Sequence, residues 1–258
     1  MNDQRFEKQI KFLKEIDKLK SIFRQTRLLD NSRSENDAEH AWHLAVMALI
    51  LAEYANKESI DIAKVIQMTL IHDIVEIDAG DALVYNRALR EEKQAKETEC
   101  ARRIFGLLPE DQSNALLHLW EEFESRSTPE AKFAAALDRF EPCIQNAATG
   151  GHAWRKHGIT RQRAEAVNAH IAEGSEAIWS YVQALFAEAE RQGYFAPEPD
   201  AEKPRLAAGP KGARAAAAIR RAMPEDAAAL FALDPLAHAP GQRRRFIDIE
   251  RHQIGAIE

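Results

Sequence analysis

Apolar residues recur every three or four positions through nearly all of residues 1–195, the spacing of helices that each bury one face. Phe6, Ile10, Leu13, Ile16 and Phe23 open the pattern, and the polar run "RQTRLLDNSRSEND" interrupts it. Asn36 or Asp37 then supplies the side-chain oxygen that caps a long helix reaching about Ala55. Ser59 caps the next predicted helix, "IDIAKVIQMTLIHDIVEI", and Gly80 ends it. A charged helix follows over roughly residues 90–105. Pro109 and Pro129 stand where a first helical turn tolerates proline. Thr128 caps the second of these helices, "PEAKFAAALDRFEPCIQNAATGG", which stops at Gly150-Gly151. Thr160 and Ser175 start two more, the last ending near Gly193. There is no internal repeat and no strand-like alternation, so the pattern predicts an all-α fold over residues 1–196.

The pattern changes at about residue 197. Seven of the ten prolines fall in the last 62 residues, which are also rich in alanine and arginine. "PEPDAEKPRLAAGPKGARAAAA" reads as a flexible linker over residues 197–218, with a short strand and helices beyond it over 219–258.

Composition narrows the class. The hydrophobic fraction is 45%, ordinary for a globular chain, and no apolar run is long enough to cross a bilayer. The N-terminus lacks the apolar core of a signal peptide. Two cysteines, Cys100 and Cys143, without a CxxC, argue against a disulfide scaffold or a zinc ribbon and fit a cytoplasmic protein. A net charge of −6 gives no electrostatic case for a nucleic-acid polymer, although a small anion can bind at a local site.

Candidate chemistry concentrates in "IHDIVEIDAGD", residues 71–81. Two isoleucines and a valine mark a buried helix, yet His72, Asp73, Glu76, Asp78 and Asp81 lie among them. Buried carboxylates need a partner or a metal. His72 and Glu76 are four apart and share a helix face, Asp73 is three from Glu76, and Asp81 follows the helix end. An imidazole beside a carboxylate is a chemically sound set of ligands for a divalent ion. Two other helices add to it. "AEHAWHLAVMALILAEYA" places His40 and His43 on an apolar helix, and "KFAAALDRFEP" places Asp138 in the middle of another. Taken singly, each has a plainer account: a chance His-Asp dipeptide, a partly exposed first turn, an aspartate paired with an arginine such as Arg24.

Together the order is His, then His-Asp, then Asp, each on its own helix. That order resembles the HD-domain metal phosphohydrolases. "SENDAEHAWHLAVMALILAEYA", "IHDIVEIDAGD", "LLPEDQSNALLHLWEEFESRSTPEAKFAAALD" and "HAWRKHGIT" resemble the short HD proteins related to bacterial 5′-deoxynucleotidases, over about residues 5–190. The resemblance implies an all-α HD-domain bundle with His40, His72, Asp73 and Asp138 as ligands of one divalent ion, such as manganese, cobalt or magnesium. It implies Glu76 as the group that orients or activates water and Asp81 as a substrate-side aspartate near the sugar and leaving oxygen. Arg24 matches the arginine that holds phosphate, with Arg27 and Arg33 as alternatives. Arg33 and Glu35 are expected to brace their loop as a pair, His43 to support rather than bind metal, and Trp154 and His157 to serve as core or lid. Where those enzymes carry an aromatic residue beside the sugar, this chain has Gln25, which leaves deoxyribose preference open. Only His118 lies between the HD pair and Asp138, whereas two-metal HD proteins need extra histidines there.

The implied activity is hydrolysis of (deoxy)nucleoside monophosphates to nucleoside and phosphate, by a homodimer acting on a small-molecule nucleotide, with no membrane partner. Hydrolysis of another small phosphate ester is the nearest alternative. A non-catalytic nucleotide- or metal-binding regulator is another, and it leaves Glu76 and Asp81 without a task. The tail "AIRRAMPEDAAALFALDPLA…RRRFIDIE" resembles the opening of a GCN5-related acetyltransferase but lacks that family's glycine-rich acetyl-CoA loop, so no acetyl transfer is expected. It reads as a truncated second domain or a disordered extension.

Overall fold

The structure, a computed structural model, describes residues 3–80 and 90–198, all within a single compact unit. Asp81, the proline-rich linker and the acetyltransferase-like tail lie outside the described residues. Eleven helices are described: α1 (Asp3–Ile16), α2 (Asp37–Leu51), α3 (Ile62–Ile71), α4 (Glu76–Ala79), α5 (Arg90–Phe105), α6 (Glu110–Ser125), α7 (Pro129–Ala148), α8 (His152–Lys156), α9 (Arg161–Asn168), α10 (Ile171–Gly174) and α11 (Glu176–Arg191). None is long and apolar enough to cross a membrane.

Helix α7 is the centre of the bundle. It contacts α2, α3, α6, α10 and α11. Its apolar side chains, among them Phe133, Leu137 and Phe140, join Leu44, Met68, Val182 and Phe186 in the larger core. The same helix buries Asp138, Glu141, Gln145 and Asn146. Trp154 completes this core against Phe186 and Phe195, with ring centroids 5.6 and 4.5 Å away, so it is a packing residue. A second core gathers Phe12, Leu19, Ile71, Ile74, Val75, Ile104, Phe105 and Trp120 beneath the segment that carries His72.

Three departures from the predicted elements shape the site. First, "RQTRLLDNSRSEND" is a two-stranded antiparallel hairpin, β1 (Phe23–Arg27) and β2 (Ser34–Asn36), with Phe23 opposite Asn36 and Arg27 opposite Ser34. Phe23 therefore belongs to a strand and is 53% exposed, while Arg24 turns inward. Three-residue β2 and one short partner carry too little period-2 signal to be seen in sequence. Second, Asp61 rather than Ser59 caps α3, accepting from Lys64 N at 3.1 Å; Ser59 takes a left-handed turn conformation, with φ of 62°. Third, the predicted single helix through the HD pair tightens into a 3-10 turn at His72–Val75 before α4 begins. In a 3-10 turn residues three apart eclipse, so Asp73 aligns with Glu76 more closely than His72 does.

Candidate metal and phosphate site

Four elements bring the site together. Asn36 caps α2 by a reciprocal box: its Oδ1 accepts from Glu39 N at 3.0 Å, and Glu39 Oε2 accepts from Asn36 N at 3.3 Å. One turn later His40 points into the bundle, fully buried. The 3-10 turn after α3 supplies His72 and Asp73, and α7 supplies Asp138. His72 Nε2 lies 3.2 Å from Asp73 Oδ2 and 3.6 Å from Asp138 Oδ1. His40 Nε2 lies 3.1 Å from Asp138 Oδ1 and 3.9 Å from Asp73 Oδ2. The ligand-type atoms of His40, His72 and Asp73 all fall within 4.8 Å of one another.

The chemistry of this set fits a divalent cation. His72 Nδ1 sits 2.9 Å from the Thr69 carbonyl, which places a proton on that nitrogen. Its Nε2 is buried and makes no hydrogen bond, although two carboxylates face it. An imidazole lone pair aimed at two carboxylates is repulsive unless a cation or a proton stands between them. Accordingly, burial works against a charged His72, but Asp73 and Asp138 push it up to about 10. Burial likewise opposes charge on His40, yet the carboxylates around it raise it well above the ordinary histidine range.

Arg24 reaches the cluster from β1. Its Nη1 donates to Asp73 Oδ2 at 2.8 Å and to Asp37 Oδ1 at 3.2 Å, and Nη2 is 3.9 Å from Asp138 Oδ1. Burial acts against its charge, but Asp73, Asp138, Asp37 and Glu76 together hold it firmly protonated. Arg24 thus sits in the field of four carboxylates, and Arg139 Nε adds a second guanidinium 3.5 Å from Asp138 Oδ2. Of Arg24, Arg27 and Arg33, Arg24 is the one the fold brings here. Arg27 bonds the Asn31 carbonyl at 2.8 Å, and Arg33 forms a forked pair with Glu39 at 2.6 and 2.8 Å. The expected Arg33–Glu35 brace is therefore replaced by Arg33–Glu39. Glu35 is buried instead, with Oε2 3.6 Å from His40 Nδ1.

Glu76, at the start of α4, is buried at 6% exposure and acts on the same guanidinium. Asp81 lies outside the described residues. His43 stays off the metal-facing side: its Nδ1 is 3.2 Å from Glu141 Oε1. His118 is exposed and bonds the Asn114 carbonyl at 2.7 Å. Gln25 faces α8, its Oε1 accepting from Lys156 Nζ at 3.1 Å and lying 3.2 Å from His157 Nε2. Alternation along β1 explains this, since Arg24 and Gln25 must point to opposite sides. Three buried acids escaped the sequence reading: Asp37, Glu35 and Glu141. The first two look like solvated turn residues beside a helix cap. Glu141 had a usable signal, being three residues after Asp138 and so on the same face of α7.

The 5′-deoxynucleotidase HDDC2 of Bos taurus is 35% identical over 138 residues, and that of Homo sapiens 34%; each match covers 53% of this chain and 65% of the relative. The chain thus spans just under two thirds of the length of these curated relatives. The crystal structure of a predicted metal-dependent phosphohydrolase from Magnetospirillum magnetotacticum MS-1 is 49% identical and superposes with a TM-score of 0.71, covering 75% of this chain and 97% of that one. A family model described as HD domain matches residues 16–179, and on that match, with a histidine, a His-Asp pair and an aspartate converging in one helical bundle, the chain belongs to the HD-domain family.

Proposed function

We propose that this chain is a metal-dependent phosphohydrolase that removes phosphate from (deoxy)nucleoside monophosphates, with one divalent ion held by His40, His72, Asp73 and Asp138. The observation that carries the reading is the buried His72 Nε2, without a hydrogen bond and faced by two carboxylates, at the point where His40 and Arg24 also converge. The names of the curated relatives, 5′-deoxynucleotidases, support the substrate class.

A bound divalent ion lowers the pKa of water and polarises a phosphoryl oxygen. The chain's own residues do the rest. Arg24, anchored through Nη1 to Asp73 and Asp37, offers its remaining guanidinium donors to phosphate, for which a planar fork is well suited. Glu76 is close enough to Arg24 to feel its charge, and it takes or relays the proton of the attacking water. Asp81 meets the sugar and the leaving oxygen. Gln25 points toward α8 rather than along Arg24, so the sugar-side role proposed here is given to Asp81 and not to Gln25. A homodimer is the expectation from the family resemblance, and the two cysteines without a CxxC fit a cytoplasmic location. The test is phosphate release from a panel of ribo- and deoxyribonucleoside 5′-monophosphates with manganese, cobalt or magnesium. Metal-dependent release from monophosphates is the expected result. Release only from other phosphate esters would redirect the substrate class, and no release with any metal would overturn the reading.

A further inference from the structure

The polar cluster behind His40 has no part in the reaction as described above. Two pairs of residues, each three apart, interlock across the α2–α7 contact: His40 and His43 on one side, Asp138 and Glu141 on the other. Asp138 faces His40 Nε2, and Glu141 faces His40 Nδ1, with Oε2 at 3.1 Å. The second oxygen of Glu141 takes His43 Nδ1 at 3.2 Å and the amide of Gln145. Glu141 is only 1% exposed, so water does not satisfy it. Glu35, 2% exposed, adds a second carboxylate 3.6 Å from the same His40 nitrogen.

The two nitrogens of an imidazole are not equivalent, and the bond made by one decides what the other can do. A carboxylate on Nδ1 keeps the proton there, leaves the Nε2 lone pair for a cation and fixes the ring plane. His72 achieves the same tautomer with a neutral backbone carbonyl, Thr69 O. The two histidines of the site are thus held by unlike groups, one charged and one neutral. Charge on the Nδ1 partner raises the basicity of the donor nitrogen.

We propose that Glu141 is a positioning residue that locks His40 in the Nδ1-protonated tautomer, with His43 and Gln145 fixing the carboxylate from its far side. This rests on the metal site put forward above, and the experiment separates the two. Mn2+ affinity of the full chain is measured by competition with a chelator for wild type, Glu141→Gln and His72→Ala. Long-range 1H–15N spectra of the histidine rings are recorded in parallel on the proteins saturated with Zn2+, a diamagnetic divalent ion, so that only the proton on the nitrogen away from the metal remains. Glu141→Gln is expected to bind Mn2+ about 10- to 100-fold more weakly and to shift the His40 ring nitrogens away from the wild-type Nδ1-protonated signature, with far-ultraviolet circular dichroism unchanged. Wild-type affinity and an unaltered His40 signature in Glu141→Gln, with binding lost in His72→Ala, would overturn this inference alone. Wild-type affinity in His72→Ala would overturn the metal site and this inference with it. Should Glu141→Gln fail to fold, Glu141→Asp, which keeps the charge but withdraws the oxygens, carries the same test: weakened binding supports the assignment and wild-type binding overturns it.

Discussion

His72 shows how one side chain can be tuned by what faces each of its nitrogens. With Thr69 O on Nδ1 and two carboxylates opposite Nε2, its affinity for a proton rises to about 10. A histidine raised in this way contributes stability that is complete below its unfolded pKa of about 6.5 and is lost as pH climbs through about 10. On the proposed metal site, the extra proton of the metal-free protein occupies the place of the cation, and loading metal would release it. We therefore expect Mn2+ affinity to strengthen with rising pH from 6 to 8 and proton release to accompany binding in calorimetry across buffers of different ionisation heat; pH-independent affinity would count against a histidine-held ion. In the proposed mechanism Glu76 and Asp81 have separate tasks. Glu76→Ala should keep metal and substrate affinity and lose turnover, the mark of an interaction made only in the transition state. Asp81→Ala should keep metal and change the ratio of kcat/KM for a matched deoxy- and ribonucleotide; an equal loss on both would remove its sugar-side role. At this scale His40, His72, Asp73 and Asp138 are legible in the sequence because a polar side chain inside an apolar helical run has to face something. Asp37 and Glu35 are not, because beside a turn a carboxylate reads as surface.

Elements place these residues within a fraction of a turn of one another, and caps set that phase. The Asn36–Glu39 box starts α2 one turn before His40, while the hairpin ahead of it ends with Asn36 paired to Phe23 and delivers Arg24. Removing the cap by Asn36→Ala should cost about 1 kcal/mol of unfolding free energy. Because β2 and α2 meet at that residue, it should also weaken metal binding modestly while leaving secondary structure content unchanged; chemical denaturation and a metal titration on the same sample check both. The helices are legible because 3.6-residue periodicity is sustained over many turns. The hairpin is hidden because its strands have five and three residues. The 3-10 turn at His72–Val75 is hidden because a change from 3.6 to 3.0 residues per turn over four residues hardly moves the apolar pattern.

At the scale of the described residues the polar cluster lies with two cores, one around α7 and one beneath the HD turn; the buried residues of the first end at Ala189, and Tyr194 and Phe195 pack against it. The chain pattern, with seven prolines from residue 197 onward, leads us to propose a domain boundary there. We expect a chain ended at residue 196 to fold and to keep the full phosphatase rate; loss of helical circular dichroism on truncation would make the tail part of the core. Whether an ion held by the HD histidines drives phosphate release is decided by measuring bound metal and phosphate release together on wild type and His72→Ala. We expect about one manganese per wild-type chain, release of phosphate from a nucleoside monophosphate that stops on chelation and returns with metal, and neither metal nor release in a folded His72→Ala. Wild-type metal content and wild-type release in His72→Ala would contradict it.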